Sequence, residues 1–402
     1  MIVTHLNLSE YRNYAVADVA FSPGANLFVG RNGQGKTNLV EALGYLSTLG
    51  SHRVSSDQAL IRAGSDAAVI RARLQHNGRD LLAEVQINRT GANRAQINRG
   101  QIKPRELPRY FSSVLFAPED LGIVRGDPSA RRRFIDQLLI LHTPRLAGVM
   151  GDYERTLKQR NSLLKSARSS GLKATQLSTL EIWDDRLVVF GSEIIDERVR
   201  LVEALSQPIR DAYASVVGDD HGPSLTPILS INGVDAEEQG MNQPAAESSA
   251  PVSEMSTSDR FRVALAARRK SEIERGLTLV GPHRDDILFE LNSLPVKGYA
   301  SHGESWSFAL ALKLASAELL RRDSSLGDPV LILDDVFAEL DSHRRARLAA
   351  AVSSFEQVLI TAAVLADVPA ALAAHIVHIE GGRIVPEPDD VAVPAVGTVT
   401  HD

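Results

Sequence analysis

The sequence has no cysteine, few aromatic residues and no excess of positive charge. Its 402 residues are 5% aromatic and contain 44 Lys and Arg against 50 Asp and Glu, a formal net charge of -6. Without cysteine, a disulfide scaffold, a cysteine nucleophile and thiolate zinc sites are excluded, and a cytosolic location is expected. The net negative charge argues against a protein that coats nucleic acid with its whole surface, although a local basic groove stays compatible with it.

Long apolar runs are also missing. No stretch reaches the roughly 18 residues that a membrane-spanning helix needs, so no membrane span is expected. The segment MIVTHLNLSEYRNY has no basic part followed by an apolar part, so no secretory signal is expected either. With 44% hydrophobic residues the chain can bury a sizeable core, and its length predicts two or three domains.

A glycine-rich segment, residues 30–37, matches the phosphate-loop pattern G-x-x-x-x-G-K-[ST] in full. It follows a short apolar strand and precedes an amphipathic helix predicted at 35–49. In this pattern the backbone N–H groups and the positive end of the helix face phosphate oxygens, the lysine reaches the β- and γ-phosphates, and the hydroxyl ligates Mg²⁺. The predicted nucleotide-binding residues are Gly30, Arg31, Asn32, Gly33, Gln34, Gly35, Lys36, Thr37 and Asn38.

A second segment supplies the carboxylates that a phosphate loop needs. Residues 330–333 are apolar and are typical of a buried parallel strand, which ends at Asp334 and Asp335. Asp334 is placed to hold Mg²⁺ through water, and Asp335 to orient or deprotonate the attacking water. We therefore predict Lys36, Asp334 and Asp335 as catalytic residues, and Thr37 and Asp334 as metal ligands.

The two motifs lie about 300 residues apart, whereas helicases, GTPases and small kinases place them much closer. No N-K-x-D motif is present, which argues against a GTPase. The spacing predicts a nucleotide-binding head that is split between the two chain ends, with an insertion between its halves. The predicted divisions are residues 1–128 and 223–386 for the two parts of the head, 129–222 for a helical insertion, 235–258 for a flexible acidic loop and 387–402 for a frayed tail.

Local patterns refine this division. Strands predicted at 67–75, 81–88 and 114–116 are expected to form an antiparallel flank of the first lobe. Helical periodicity with intervening charges covers most of 129–217.

Other motifs carry a family resemblance. Ser301-His302-Gly303-Glu304 begins a predicted helix and resembles the signature motif of ABC-type ATPases, and Glu339-Leu340-Asp341 resembles their D-loop. Residues 1 to 365 resemble the RecF family of recombination mediators in the SMC class, through the segments at 11–14, 30–43, 51–53, 118–121, 131–134, 281–286 and 333–341. The resemblance implies an α/β fold: an ABC-type P-loop ATPase head split between the chain ends, with an antiparallel β flank and a helical insertion domain.

Two positions depart from the usual ABC pattern. Glu304 stands where many signature motifs have glutamine, while the serine and glycine are kept. Thr361 lies where many ABC-type ATPases carry a switch histidine. A weak ATPase that serves as a switch is therefore expected.

The resemblance also implies a function. ATP would draw two copies together, each nucleotide lying between residues 30–37, Asp334 and Asp335 of one copy and Ser301, Gly303 and Glu304 of the other, with Glu339 and Asp341 as D-loop residues. The implied protein binds DNA, in single-stranded, duplex, gapped or junction form, in recombinational repair and replication-fork maintenance. A weak DNA-stimulated ATPase, RecO- and RecR-like partners, recombinase loading at gaps and a nucleoid-associated location are implied as well.

A local basic stretch favours DNA binding. Residues 89–133 contain ten Lys and Arg and four Asp and Glu, a local net charge of +6 that suits phosphate contacts without base readout. The predicted DNA contacts are Arg94, Arg99, Lys103, Arg105, Arg109, Arg131 and Arg132. The alternatives are a solvated charged face and, for the arginines at 131–133, packing or ion pairing at the start of a helix.

Two further motifs each allow more than one interpretation. His283-Arg284-Asp285-Asp286 can be a structural turn or a group near the head interface, and Arg12 is predicted to approach the nucleotide. At the level of the whole protein, the alternatives are an ABC ATPase subunit of another complex and an SMC-type structural clamp. The motif spacing and the basic stretch argue against the first, and the lack of a long coiled coil argues against the second.

Overall fold

The structure, a computed structural model, describes residues 1–170, 178–233, 255–324 and 326–385. Of the predicted acidic loop at 235–258, residues 235–254 lie outside the described residues. The whole of the predicted tail at 387–402 also lies outside them. Thr257 and Ser258 belong to a helix, so the predicted loop does not include these two residues.

The strands and helices are as follows. The strands are β1 (Ile2–Tyr11), β2 (Tyr14–Ala20), β3 (Gly24–Val29), β4 (Ala67–His76), β5 (Arg79–Asn88), β6 (Arg94–Ile97), β7 (Gly100–Ile102), β8 (Ser113–Phe116), β9 (Ser224–Ile228), β10 (Asp286–Leu291), β11 (Leu294–Pro295), β12 (Val330–Asp334), β13 (Gln357–Ala362), β14 (His375–Glu380) and β15 (Arg383–Val385). The helices are α1 (Lys36–Thr48), α2 (Leu121–Arg125), α3 (Pro128–His142), α4 (Leu146–Ser170), α5 (Ser178–Val217), α6 (Thr257–Arg275), α7 (Val296–Tyr299), α8 (His302–Asp323) and α9 (Ser342–Val352).

A mainly parallel sheet joins the two chain ends. Its order is β15-β14-β3-β13-β12-β8, and only the β14–β15 pair is antiparallel. Strands β12 and β13 are buried along their whole length, which explains their continuous apolar sequences. Since β3 pairs with β13, the phosphate loop after β3 and the acids after β12 reach the same edge of the sheet.

The antiparallel flank is a second sheet of order β2-β1-β4-β5-β6-β7. Its inner face shares a core with α1, in which Leu6, Ile70, Val85 and Leu43 are fully buried. The prediction that residues 114–116 belong to this flank is wrong. They lie in β8, which pairs in parallel with β12, because their uninterrupted apolar run fits a strand covered on both faces.

A third core lies among α4, α5 and α6. It includes Tyr153, Leu187, Ile195, Phe261 and Leu265, all of them buried. Helix α6 begins after Ser256, whose hydroxyl accepts a hydrogen bond from the N–H of Asp259. The division made from the sequence assigns α6 to the C-terminal part of the head. In the structure its apolar face packs on α4 and α5, which belong to the predicted helical insertion.

The remaining elements connect these cores. Strands β9, β10 and β11 form a small antiparallel sheet. The α8 helix is buried over most of its length and packs against α5 and α2. Within the described ranges, no helix combines the length and the apolarity that a membrane crossing requires.

Candidate nucleotide site

Two glycines of the phosphate loop lie so close to neighbouring segments that a side chain would not fit. A Cβ on Gly30 would stand 2.3 Å from the carbonyl oxygen of Ile379, and one on Gly35 would stand 2.7 Å from Asn13 Nδ2 and Tyr14 Oη. Gly35 also has a φ of +114°, which residues with a side chain rarely adopt. Both glycines are therefore required by the shape of this loop.

Neighbouring segments fix the loop from outside. The N–H groups of Gly381 and Gly382, in the β14–β15 turn, donate to the side-chain and backbone oxygens of Gln34. The Tyr14 hydroxyl donates to the carbonyl oxygen of Gly35 at 3.1 Å. Arg31, Asn32 and Gly33 are exposed at the tip of the loop, where a ligand can reach their backbone N–H groups.

Lys36 lies inside the loop. Its side chain is buried, and Nζ donates to the carbonyl oxygens of Gly30 at 2.8 Å and Arg31 at 3.4 Å. These two carbonyls hold the ammonium at the centre of the curled backbone. A phosphate there would meet both this charge and the backbone N–H groups at the start of α1.

The structure brings Thr37 and Asp334 together. Thr37 Oγ1 donates to Asp334 Oδ1 at 3.0 Å, and Thr361 Oγ1 donates to the same oxygen at 2.6 Å. Thr361, which sequence comparison placed near the missing switch histidine, also accepts from the N–H of Asp335 at 2.9 Å. A fully buried threonine on β13 thus holds the carboxylate of Asp334 and the backbone of Asp335, a role that the sequence did not reveal.

Asp335 has a strained backbone and a perturbed carboxyl group. Its φ is +52°, in the left-handed region that residues other than glycine seldom occupy. Burial raises the pKa of its carboxyl, as do the nearby charges of Asp334 and Glu119, while the Lys36 ammonium opposes the shift. A carboxylate that holds a proton more tightly is also a stronger base, which suits the predicted role of Asp335 toward water.

The Ser51-His52-Arg53 segment supports this site, and sequence reasoning gave its residues no role. His52 Nε2 lies 3.8 Å from Asp334 Oδ2, whereas the two threonines contact Oδ1, and this nitrogen is buried without a hydrogen-bond partner among the described residues. Arg53 Nη1 donates to Asn38 Oδ1 at 2.8 Å. A cavity of about 200 Å³ opens behind His52 and is also lined by Glu119, Arg133 and Lys313.

Arg12, which the sequence predicts near the nucleotide, pairs with a buried acid in this structure. Its guanidinium makes two hydrogen bonds, at 2.7 and 2.8 Å, to the carboxylate of Glu41, whose side chain is fully buried in α1. Ser51 Oγ donates to the same carboxylate. The buried charge of Glu41 requires a cation, so Arg12 anchors α1 to the turn between β1 and β2.

The signature residues begin α8. Ser301 Oγ accepts from the N–H of Glu304 at 3.2 Å, while Glu304 Oε2 accepts from the N–H of Ser301 at 2.8 Å, a reciprocal capping box. Ser301 is exposed. In the part of the chain that the structure describes, no hydrogen bond or ion pair joins Ser301, Gly303 or Glu304 to the phosphate loop of the same chain.

The D-loop residues follow β12 and precede α9. Glu339 is exposed, and Asp341 caps α9 by accepting from the N–H of Arg344 at 2.9 Å. That hydrogen bond is the main reason for the lowered pKa of the exposed Asp341 carboxyl.

The predicted DNA contacts divide into two groups. Five of them are exposed: Arg94 on β6, Arg99 in the turn between β6 and β7, and Lys103, Arg105 and Arg109 in the segment that follows β7. The prediction is wrong for Arg131, which is buried in an ion pair, whereas Arg132 is only partly buried and its DNA contact stays a prediction. Arg131 is buried and donates to both carboxylate oxygens of Asp286 at 2.7 and 2.8 Å, and Arg132 donates to the carbonyl oxygen of Asp285 at 2.8 Å.

His283 is a structural residue. Nδ1 lies 2.7 Å from Tyr153 Oη and Nε2 lies 3.2 Å from the carbonyl oxygen of Thr278, so both ring nitrogens have partners. Burial lowers the pKa of His283 to about 3. The imidazole is therefore neutral at physiological pH and joins α4 to the segment before β10.

Comparison with known proteins places this site in a family. The family model for the RecF/RecN/SMC N terminal domain matches residues 2–376. A protein of Clavibacter michiganensis subsp. michiganensis (strain NCPPB 382), named DNA replication and repair protein RecF, is 67% identical over 399 residues that cover 98% of each chain. The chain belongs to the RecF family. This confirms the family resemblance of the sequence motifs.

Solved structures agree with this membership. A structure of the recombination mediator RecF with ATP, in the RecFOR pathway, has a TM-score of 0.82 at 26% identity and covers 95% of this chain and 96% of its own. The Smc head domain of Pyrococcus furiosus, at 17% identity, covers 95% of each chain with a TM-score of 0.50 and shares the fold. The predicted ABC-type α/β ATPase fold is confirmed for this RecF family member.

Proposed function

We propose that this RecF family member is an ATP-dependent DNA-binding protein of recombinational repair and replication-fork maintenance. The contact between Thr37 and Asp334 carries the proposal, because it joins a phosphate loop to a buried carboxylate at the end of a parallel strand. A relative named for DNA replication and repair and a similar recombination mediator bound to ATP support the assignment.

The residues fit ATP and Mg²⁺. The crowded glycines shape a backbone cradle, Lys36 supplies the central positive charge, and Thr37 Oγ1 and Asp334 Oδ1 are hard oxygen donors 3.0 Å apart. The described residues contain no cluster of three or more metal-binding side chains. This agrees with Mg²⁺, which binds through one or two protein oxygens together with substrate phosphates and water. When bound, the ion supplies charge compensation at the phosphates.

The chain's own groups have distinct tasks in hydrolysis. Lys36 would turn its ammonium from the carbonyl oxygens of Gly30 and Arg31 toward the β- and γ-phosphates. Thr361 holds Asp334 in place, and Asp335 would orient water and accept its proton. We expect this hydrolysis to be weak and to act as a switch, as the family resemblance implies.

The exposed signature supports a nucleotide-dependent homodimer. Ser301 is exposed at the start of α8, and the described residues show no hydrogen bond between the signature and the chain's own phosphate loop, so a second copy would place Ser301 and Gly303 against its ATP. An isologous interface would then contain two equivalent nucleotides. Loss of the γ-phosphate removes the bridging group, so ATP favours the dimer and ADP does not.

The exposed basic residues on β6, in the β6–β7 turn and in the segment after β7 support DNA binding through phosphates. DNA stimulation of the ATPase, RecO- and RecR-like partners, recombinase loading at gaps and a nucleoid-associated location complete the proposal. They draw on the family membership and on the RecFOR pathway named for the similar structure.

The test is ATP hydrolysis with and without gapped duplex DNA, for the parent protein, Lys36→Ala and Asp335→Asn. We expect DNA to raise the parent's rate, Lys36→Ala to lose nucleotide binding, and Asp335→Asn to bind ATP without hydrolysing it. A rate that DNA leaves unchanged would favour an ABC ATPase subunit of another complex. Hydrolysis by Asp335→Asn at the parent's rate would remove the assigned role of Asp335.

A further inference from the structure

An arginine outside the recognised motifs lies directly on the signature glycine. Arg344, in the first turn of α9, packs its guanidinium against Gly303 at the start of α8. A Cβ placed on Gly303 would stand 3.0 Å from Arg344 Nη1, 3.5 Å from Nη2 and 3.7 Å from Cζ. The missing side chain of Gly303 therefore makes room for this guanidinium.

The charge of Arg344 is only loosely compensated. Its Nε lies 3.7 Å from Asp341 Oδ2, beyond hydrogen-bond distance, and its side chain is 29% exposed. The pKa of Glu304 is lowered mainly by hydrogen bonds from Ser301, and the charge of Arg344 contributes to the same shift. Two carboxylates thus lie near the guanidinium without a short ion pair to it.

Arg345, the next residue of α9, has the contacts expected of a structural arginine. Arg345 Nε donates to the carbonyl oxygens of Phe337 and Leu340, both at 2.8 Å, and its Nη2 lies 3.1 Å from Asp367 Oδ1. These contacts hold Arg345 in one place. Arg344 has no comparable set within the described residues, so its guanidinium can turn toward an arriving anion.

The position of the Arg344 guanidinium beside the start of α8 is electrostatically unfavourable. The backbone N–H groups at the start of α8 give that end of the helix a partial positive charge, and a cation beside it is unfavourable. An anion bound between the Arg344 guanidinium and the start of α8 would turn this unfavourable interaction into a favourable one. In the proposed dimer, the γ-phosphate of the opposing ATP occupies that position.

We propose that Arg344 contacts the γ-phosphate of the ATP bound by the second copy, beside Ser301 and Gly303, and stabilises its charge during hydrolysis. The proposal rests on the nucleotide-dependent dimer described above. A guanidinium suits this task because its planar fork makes paired hydrogen bonds to phosphate oxygens. Arg344 would thereby be a catalytic residue that one copy supplies to the other.

The first test separates ATP binding from catalysis. Arg344→Gln should leave the affinity of the dilute, monomeric protein for a fluorescent ATP analogue unchanged and lower kcat about 100-fold. Arg344→Lys should recover little activity, because it keeps the charge and loses the fork. Arg347→Gln is the matched control on the same helix and should keep the parent's rate. A parent-like kcat for Arg344→Gln would overturn the proposal.

Mixing variants then shows in which copy Arg344 acts. Arg344→Gln and Asp335→Asn are each inactive alone, but their heterodimer contains one complete site if Arg344 serves the opposite copy. An equimolar mixture should regain about a quarter of the parent's rate, since half of the dimers are mixed and each has one working site. No recovery would overturn the proposal.

A second mixture tests the dimer separately. Ser301→Ala, which removes the signature hydroxyl without adding bulk at the interface, should also regain activity when mixed with Asp335→Asn, because Ser301 is assigned to the opposite copy in the proposed function. If this mixture recovers and the Arg344 mixture does not, the role of Arg344 alone is wrong. If neither recovers, the proposed dimer is wrong, and the role of Arg344 falls with it.

Discussion

Thr37 Oγ1 lies 3.0 Å from Asp334 Oδ1, although 297 residues separate the two in the chain. Parallel pairing of β3 with β13 and of β13 with β12 brings these positions to one edge of the sheet. The candidate nucleotide site therefore forms only when both chain ends have folded together. This contact is the structural basis for the proposed ATP and Mg²⁺ site.

Thr361 should be needed for hydrolysis more than for nucleotide binding. Thr361→Val removes the hydroxyl that donates to Asp334 Oδ1 and accepts from the N–H of Asp335. We expect kcat to fall about 10- to 100-fold, because both acids lose their orientation, while the affinity for ATP stays the same. Steady-state kinetics and nucleotide titration measure the two quantities.

The matched control for this change is Thr361→Ser, which keeps the hydroxyl. It should keep most of the parent's kcat. If the serine variant is as slow as the valine variant, the effect comes from packing in β13 and not from the hydrogen bonds.

His283 should make stability depend on pH. Its folded-state pKa is about 3, lowered mainly by burial and further by the charges of Arg284, Arg132 and Arg160, whereas an unfolded histidine has a pKa of about 6.5. Between these values the unfolded chain binds a proton that the folded chain does not. The stabilising contribution is therefore complete above about pH 6.5 and is lost as the pH falls.

The measurement is the free energy of unfolding at pH 7.5 and pH 5.0, from urea titration, for the parent and His283→Gln. The parent should lose about 2 kcal/mol more than the variant between these pH values. Other titrating groups are common to both proteins and cancel in the comparison. Equal losses would show that His283 is protonated in the folded state.

Arg160 should stabilise the helical insertion strongly. It is fully buried and donates to Asp184 Oδ1, Thr278 Oγ1 and Glu272 Oε2 at 2.6 to 2.7 Å. Arg160→Met removes the cation paired with the buried Glu272 and one of the two arginines paired with Asp184, which keeps Arg269, so we expect a loss of about 3–5 kcal/mol of unfolding free energy. Urea unfolding measures it.

A second substitution checks the cause of that loss. Adding Glu272→Gln to Arg160→Met removes one orphaned charge and should restore part of the stability. Nucleotide affinity should be unchanged in both variants, because the network lies in the core of α4, α5 and α6. A double variant no more stable than the single one would point to lost packing instead.

The exposed basic residues should bind DNA phosphates. Replacing Arg94, Arg99 and Arg105 together with glutamate should weaken DNA binding and reduce its dependence on salt by about one unit of slope for each lost contact. Fluorescence anisotropy over a range of salt concentrations measures both. The control reverses Arg186, Arg200 and Arg210, which are exposed on α5. If the control weakens binding equally, the DNA site is elsewhere.

Sequence patterns predicted the site better than they predicted its surroundings. The phosphate loop and the acids after β12 were found because glycine spacing and an apolar strand ending in acids are local signals. The roles of Thr361 and His52 were not found, since each depends on a contact across the sheet edge that no local pattern encodes. Arg131 was misread because a buried arginine paired with a distant aspartate looks the same in sequence as an exposed one.

The fold shows the same contrast. Alternation and apolar runs located β1, β4 and β12, but they could not tell which sheet the strand at 114–116 joins, because that is decided by its pairing with β12. Helix α6 was missed since its polar sequence follows the acidic segment. Its helical state depends on burial of Phe261 and Leu265 against α4 and α5.

The central claim is that ATP, and not ADP, joins two copies through the signature. Analytical ultracentrifugation of the parent and Ser301→Arg, each with ATP, with ADP and without nucleotide, tests it most directly. The account predicts a dimer only for the parent with ATP, while Ser301→Arg still binds ATP as a monomer. A dimer that is equally strong with ADP, or one that survives Ser301→Arg, would contradict it.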